Sequence, residues 1–568
     1  MVATHSPHSA NFEAHRPVVM GRNGMVCAGH PLASQAGIAM LQKGGNAVDA
    51  AIATAAVLNV VEPLMSGIGG DGYLMIYWND EDRLSLVNAT GAAPGAATRE
   101  RFLSQGIPMK GILSVSVPAL LDGWLSAQNK YGVLSLAEVF APAIDLAANG
   151  FPTSHVLAKA IVADPLVCEF PTSRAVFSRE GRPLRPGEIL YQRDLGRTFQ
   201  AIVDDGADVF YRGELARALV RFSEAQGGLL TEADLAECRS RWEEPICTSY
   251  RGYTIYEAPP NSSGHVLLQE LNLIEHFDLK LLGCNTAGSI HSMVEAKKLA
   301  FIDREAFLAD PDFVDVPTEG LISKEYAKER AKFIYPDRAA TSVQAGDPWQ
   351  HQKGQKKSSK SSQLSDERKG DTTCLAVVDR WGNAVCQLQS LQSPFGSSLI
   401  AGDTGILLNN RMTYWHLETD HPDCLQPRKR VRQTMNPVMV FKQENGKRGL
   451  ILVCGTPGAD TQVQTNLQVI THVLDFGMTV AEAVEAPRWR HTQNPTESTV
   501  PHTCNDELIL EGRFPEEVRR GLARRGHILN IIGDWEATGS EMMIQLDPET
   551  GALFGAADPR RDGYAIGW

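Results

Sequence analysis

At 568 residues, 43% of them hydrophobic, the chain is long enough to bury a large core, or two lobes around one. A net charge of −13 and a pI near 5.7 exclude the basic face that nucleic acid or an anionic membrane would need. No run of about eighteen apolar residues is present to span a bilayer, Met1 to Met25 lacks an apolar signal core, and the ten cysteines are scattered without a C-x-x-C, so reduced thiols and a cytoplasmic protein are expected.

In chain order, Pro31 to Gln42 and Val48 to Val61 read as helices parted by Gly44–Gly45, followed by Gly67-Ile-Gly-Gly-Asp-Gly72 and a strand from Tyr73 to Trp78. The glycines spell G-x-G-x-x-G. A dinucleotide fingerprint needs strand, glycines, then helix, and here the helix comes first. The glycines are therefore read as allowing a tight turn and close backbone packing. Residues 115–300 read as mostly helical: Leu136 to Asn149, Asp194 to Asp204, Gly213 to Gln226 and Val266 to His276. A strand is expected at Gly252 to Ala258, a loop at Pro259 to Gly264, and another helix at His291 to Phe307.

From Ser342 to Asp371 the chain turns polar, with a Lys run at 353–360, and holds too few aliphatic residues to order itself. That stretch ends abruptly at Thr372–Thr373, where Cys374-Leu-Ala-Val-Val378, a turn at Asp379 to Asn383 and a second strand, Ala384 to Gln389, form a hairpin pattern. Strands continue at Gly405 to Leu408, Val438 to Lys442 and Gly449 to Val453, and helices at Thr461 to Phe476, Val480 to Ala486 and Pro515 to Arg525.

Three segments carry candidate chemistry. If the Asp371–Thr372 bond is cut, Thr372 carries its hydroxyl and a free α-amine of pKa about 8, a base for its own hydroxyl; against this, a Thr-Thr pair is also an ordinary start to a strand. In Cys454-Gly-Thr-Pro-Gly-Ala-Asp460, a strand runs into a helix start, so the amides of Gly458 and Ala459 are candidates for an oxyanion hole; the plainer reading is a turn capped by Asp460. In Gly405-Ile-Leu-Leu-Asn-Asn-Arg-Met412, a strand delivers Arg411, a carboxylate clamp or a surface ion-pair partner. No zinc-type spacing of Cys and His is present, so neither a metal nor a cofactor is called for.

Together with Gly44 to Ala51, Gly67 to Tyr73, Pro259 to Gly264, Glu295 to Arg304, Ala309 to Val314 and Gly555 to Arg560, these segments resemble the γ-glutamyltranspeptidase family of N-terminal-nucleophile hydrolases over nearly the whole chain. The resemblance implies an α+β fold, a four-layer αββα sandwich, made as a precursor. Thr372 cuts the bond before it, leaving a large subunit, 1–371, and a small one, 372–568, that stay associated. It then attacks a small-molecule amide, giving an acyl-enzyme released by water or an amine. Thr373 supports the terminal amine, and Gly458 and Ala459 match the oxyanion pair, usually Gly-Gly.

The substrate pocket departs from the family pattern. Thr90 stands where an arginine holds the donor α-carboxylate, Tyr414 where an aspartate holds the α-amine, Gln433–Thr434 where a Ser-Ser pair stands, and Ser390 and Gln392 replace Thr and Asn. Losing the charged contacts costs roughly 2–5 kcal/mol each. Arg411, with Arg432 as help, is expected to hold a carboxylate placed differently, as in members that hydrolyse glutaryl-cephalosporin side chains or small amides such as oxamate. The alternatives are a γ-glutamyl hydrolase with a rearranged pocket and an inactive binding relative.

Overall fold

The computed structural model describes residues 14–353, 371–444 and 446–568. Two seven-stranded sheets, antiparallel throughout, occupy its centre. The first runs in the order Tyr564–Gly567, Gly24–Ala28, Asp371–Asp379, Ala384–Gln392, Asp71–Trp78, Arg83–Ala89, Arg241–Glu243. The second runs Val19–Gly21, Leu553–Ala557, Met542–Leu546, Lys447–Gly455, Val438–Glu444, Tyr253–Glu257, Ile246–Tyr250.

Side-chain alternation assigns the faces. Cys374, Ala376 and Val378 of the hairpin join Cys386 and Leu388 in a cluster with Met439, Val453 and Ile544 of the second sheet. Leu375, Val377 and Val385 point the other way, into a core shared with the helices Pro31–Gln42, Ala47–Val61 and Leu136–Asn149. The outer face of the second sheet, through Val438, Val440, Leu452 and Cys454, packs on the helices Gly264–Ile274, Ala287–Phe307 and Thr461–Leu474. Strands buried on both faces explain why the hairpin reads as continuous apolar runs. Among the described residues no helix is long and apolar enough to cross a membrane.

The expected helices are present with small shifts. Ala47–Val61 starts one residue early because Asn46 and Asp49 close a capping box, and Ala287–Phe307 starts four residues early behind a Thr286 cap. Two expectations need correction. Residues 405–408 are not a strand: Leu407 and Leu408 make single bridges to Ile400 and Gly69, and Gly405 turns at φ +70°. The polar stretch from Ser342 is ordered as far as Lys353, with Val343 packed on the core, Pro348 buried and several polar contacts. Arg330 donates to the Gln344 carbonyl at 2.8 Å, the Gly346 N–H to Asp303 at 2.9 Å, and the Gly320 N–H to Gln352 at 2.9 Å. The rest of the expected linker, including most of the Lys run, lies outside the described residues. As expected, the glycine segment makes a turn, Gly70 N–H to the Gly67 carbonyl at 3.0 Å, and Gly69, Gly70 and Gly72 allow close backbone packing. A Cβ on Gly69 would overlap the Leu407 carbonyl, and one on Gly70 the Ser390 carbonyl.

Candidate active site

Thr372 lies at the start of its strand, where the pairing with Ala384–Gln392 slips between Asp371 and Thr373. Alternation from Cys374 turns Thr372 toward the second sheet. Ser390 faces the same way on the next strand, and its cross-strand partner Asp71 does so on the third. The Thr372 hydroxyl donates to Ser390 Oγ at 3.2 Å. Thr373 faces the opposite side, and its hydroxyl donates to Glu62 Oε2 at 2.6 Å, just past the end of Ala47–Val61.

The second sheet closes over this row. A Cβ on Gly455, the last residue of Lys447–Gly455, would stand 2.8 Å from Cys374 Sγ, so this strand end lies against the hairpin, and the Thr456-Pro-Gly-Ala459 turn follows it. Gly458 and Ala459 both take positive φ, +125° and +50°. The second value is one that L-residues avoid at a cost of about 1 kcal/mol. Asp460 does not cap the helix Thr461–Leu474 with its side chain, contrary to the plainer sequence reading. Its carboxylate instead pairs with Arg304 and accepts from Ser498 N–H at 2.8 Å.

Arg411 is buried against Asp71, Nε to Oδ2 3.3 Å, and its guanidinium carbon lies 5.2 Å from the centre of the Tyr414 ring. It is therefore not a surface ion-pair partner. Its Nη2 has no hydrogen-bond partner among the described residues. Tyr414 is kept a neutral phenol by burial, and its hydroxyl lies 3.4 Å from Thr434 Oγ1. Gln433 Nε2 reaches Asp71 Oδ2 at 3.4 Å. Asp71 Oδ1 accepts the Gly91 N–H at 2.9 Å, and burial pushes the Asp71 carboxyl up to about 6 although Arg411 pulls it down. Gln392 sits at φ +90° with its N–H on Ser390 Oγ at 2.8 Å, and both atoms of its side-chain amide are buried without a partner among the described residues.

Two further candidates from the sequence are tied to their neighbours. Thr90 is buried, and its hydroxyl donates to Asn88 at 2.6 Å and accepts from Asn261 Nδ2 at 3.3 Å. Arg432 is not available to help Arg411, because it is spent on Glu305 at 2.6 Å and the Glu497 carbonyl at 2.9 Å. The residues missed by sequence reasoning are Asp71 and Glu62. Asp71 stood in the glycine motif as its one charged residue.

Two clusters bring metal-type ligand atoms together, and neither presents a free set. His421 Nδ1 accepts the Asp423 N–H at 3.0 Å, so its proton sits on Nε2, facing Glu305 at 3.3 Å. The His416 and His421 rings stack 3.5 Å apart at 8°, so their nitrogens run side by side rather than converge. Against the cost of burial, Arg432 and these histidines hold the Glu305 carboxyl well below the usual range. In the second cluster His291 Nε2 donates to the Tyr335 carbonyl at 2.6 Å, and its Nδ1 accepts from His527 Nε2 at 2.8 Å. Glu295 is occupied by Lys298 and the Ala340 N–H.

Comparison with known proteins bears on the family and the fold. The sequence matches the gamma-glutamyltranspeptidase family over residues 33–568. It is 37% identical to the glutathione hydrolase-like YwrD proenzyme of Bacillus subtilis (strain 168), covering 97% of this chain and 99% of that one. It is 37% identical to the acylase ACY 1 proenzyme of Pseudomonas sp. (strain SE83), covering 99% and 96%. The cephalosporin acylase of Bacillus halodurans superposes with a TM-score of 0.87 at 34% identity, covering 100% and 99%. A fold of two apposed sheets with a threonine at a strand end, matched along nearly its full length to such relatives, makes this chain a member of the gamma-glutamyltranspeptidase family.

Proposed function

We propose that the protein is a self-cleaving amidohydrolase whose acyl donor is a small amide bearing a carboxylate. On this reading Thr372 Oγ1 attacks the Asp371 carbonyl carbon, and water resolves the resulting ester, freeing the Thr372 amine. The fragments 1–371 and 372–568 stay together because Asp371–Asp379 and Ala384–Gln392 are hydrogen-bonded on their outer edges to Gly24–Ala28 and Asp71–Trp78. The two sheets and the helices outside them are then the αββα sandwich of N-terminal-nucleophile hydrolases.

In turnover the amine accepts the Thr372 hydroxyl proton as Oγ1 attacks the donor carbonyl, and the oxyanion is met by the N–H groups of Gly458 and Ala459. The protonated amine then gives its proton to the departing nitrogen, and water or an amine releases the acyl group. Thr373, held by Glu62, supports the amine. Ser390, Gln392, Gln433, Thr434, Tyr414 and Thr90 line the donor pocket, and Arg411 takes the carboxylate. The single observation that carries the reading is Thr372 at the slipped strand end, hydrogen-bonded to Ser390 and one strand from the Asp71–Arg411 pair.

A denaturing intact-mass spectrum tests it. Two fragments, the smaller starting at Thr372, are expected, and Thr372→Ala should give one uncut, inactive chain. A stable uncut wild-type chain would sink the nucleophile assignment. Because neutral Tyr414 stands where an ammonium partner would be needed, glutaryl-anilide should be cleaved faster than γ-glutamyl-anilide. The reverse preference would favour the second reading, a γ-glutamyl hydrolase, to which the name of the Bacillus subtilis relative points.

A further inference from the structure

The two N–H groups assigned above to the oxyanion belong to two peptides, and each peptide is tethered through its carbonyl. In a trans peptide the carbonyl and the N–H point in opposite directions, so fixing one aims the other. The Gly458 N–H shares its peptide with the Pro457 carbonyl, which accepts from Thr456 Oγ1 at 3.0 Å, and the same Oγ1 accepts the Ser540 N–H at 3.0 Å. The Ala459 N–H shares its peptide with the Gly458 carbonyl, which accepts the Thr461 N–H at 2.9 Å. The Ala459 N–H is thereby turned away from the helix Thr461–Leu474.

The second tether is under load. Ala459 sits at φ +50°, where its Cβ crowds the backbone, and Gly458 beside it adds no stiffness. A residue other than glycine keeps such a conformation only where its surroundings hold it. The next residue supplies the hold. Asp460 is buried, and its carboxylate accepts from Arg304 Nη1 at 2.5 Å, the Ser498 N–H at 2.8 Å and Ser498 Oγ at 2.7 Å. Against the cost of burial, Arg304 holds the Asp460 carboxyl below its usual range. Arg304 also donates to the Thr496 carbonyl, so the helix Ala287–Phe307 and the segment that carries Ser498 meet on one carboxylate. The Asp460 side chain is free for this because it does not cap the helix it precedes.

We propose that Asp460 is a positioning residue for amide cleavage: anchored to Arg304 and Ser498, it holds Ala459 in its strained conformation and so aims the Ala459 N–H at the oxyanion. This rests on the nucleophile and oxyanion reading above. Without the anchor Ala459 relaxes, the Gly458–Ala459 peptide rotates, and its N–H leaves the line of the developing charge. The loss falls on the transition state, where that charge appears, and spares ground-state binding.

The test compares wild type, Asp460→Asn and Ser498→Ala. The kcat for the faster-cleaved of glutaryl-anilide and γ-glutamyl-anilide is referred to the amount of cut chain, counted by intact mass. Ground-state binding is read as competitive inhibition by pentanoate or L-norvaline, the matching head group without a scissile amide. Asp460→Asn should lower kcat about ten- to a hundredfold and Ser498→Ala by less, with inhibition constants within about twofold of wild type. Adding Ala459→Gly to either variant should recover much of the lost kcat, because glycine takes a positive φ without strain. If Asp460→Asn is uncut or does not fold, the Ser498→Ala pair decides. Wild-type kcat in the variants, a loss of kcat matched by an equal loss of inhibitor affinity, or no recovery with glycine would overturn the proposal alone. An uncut, inactive wild-type chain would overturn the nucleophile reading and the proposal with it.

Discussion

A buried carboxylate requires donors, and Glu62 accepts a hydrogen bond from the Thr373 hydroxyl at 2.6 Å. That contact fixes the Thr373 side chain beside the Thr372 position. Hydrogen bonds to charged groups contribute roughly 1.5–3 kcal/mol. Glu62→Ala should therefore slow self-cleavage by about ten- to a hundredfold, followed as the uncut fraction over time on denaturing gels. Unchanged cleavage would make the contact merely structural. At this scale Thr372 and Thr373 were readable, because a polar stretch gives way to an apolar strand at that point. Glu62 and Asp71 were not: each meets its partner more than 300 positions away, and no local pattern encodes such a meeting.

At the scale of elements, Gly70 within Gly67–Gly72 lets the Ser390 strand approach because it carries no side chain. The Gly70 N–H closes a turn onto the Gly67 carbonyl at 3.0 Å, and Gly70 itself abuts the Ser390 carbonyl. Gly70→Ala should cost about 1–3 kcal/mol by overpacking and displace Ser390 from Thr372. The expected outcome is a lower melting temperature together with impaired scission, measured on the same preparation. A variant that melts lower yet cleaves at the wild-type rate would show that Ser390 does not set the nucleophile. Helix positions were read well, since caps such as Asn46 and a 3.6-residue apolar period are local signals. Gly405 to Leu408 misled because a short apolar run looks like a strand whether or not a neighbour offers an edge to pair with.

Over the whole molecule, burial of ionisable groups sets the pH response. Glu270 and Glu541 are fully buried, their carboxylate oxygens lack hydrogen-bond partners among the described residues, and burial pushes both up to about 8. In the unfolded chain they titrate near 4.5. Between those values the folded protein holds protons that the unfolded chain has lost, so these groups make stability fall as pH rises from about 4.5 to 8. Buried histidines such as His265 and His472, whose pKa values burial lowers, act in the opposite direction below about pH 6.5, so the two glutamates are isolated by substitution. Glu541→Gln should raise the melting temperature at pH 8, on the order of a few degrees, and change it little at pH 5. A Glu541→Gln protein with the wild-type pH profile would contradict the assignment.

The sequence by itself determined the family, the nucleophile candidate and most of the helices and strands, because periodicity, capping and the loop-to-strand junction are written in neighbouring residues. Only the tertiary structure decided the charge pattern of the pocket. Arg411 reads as a lone cation in the sequence, and the folded chain pairs it with Asp71, while Arg432 is taken by Glu305. Which charges cancel depends on which side chains share a site sealed from water, and that is settled by packing between segments hundreds of residues apart.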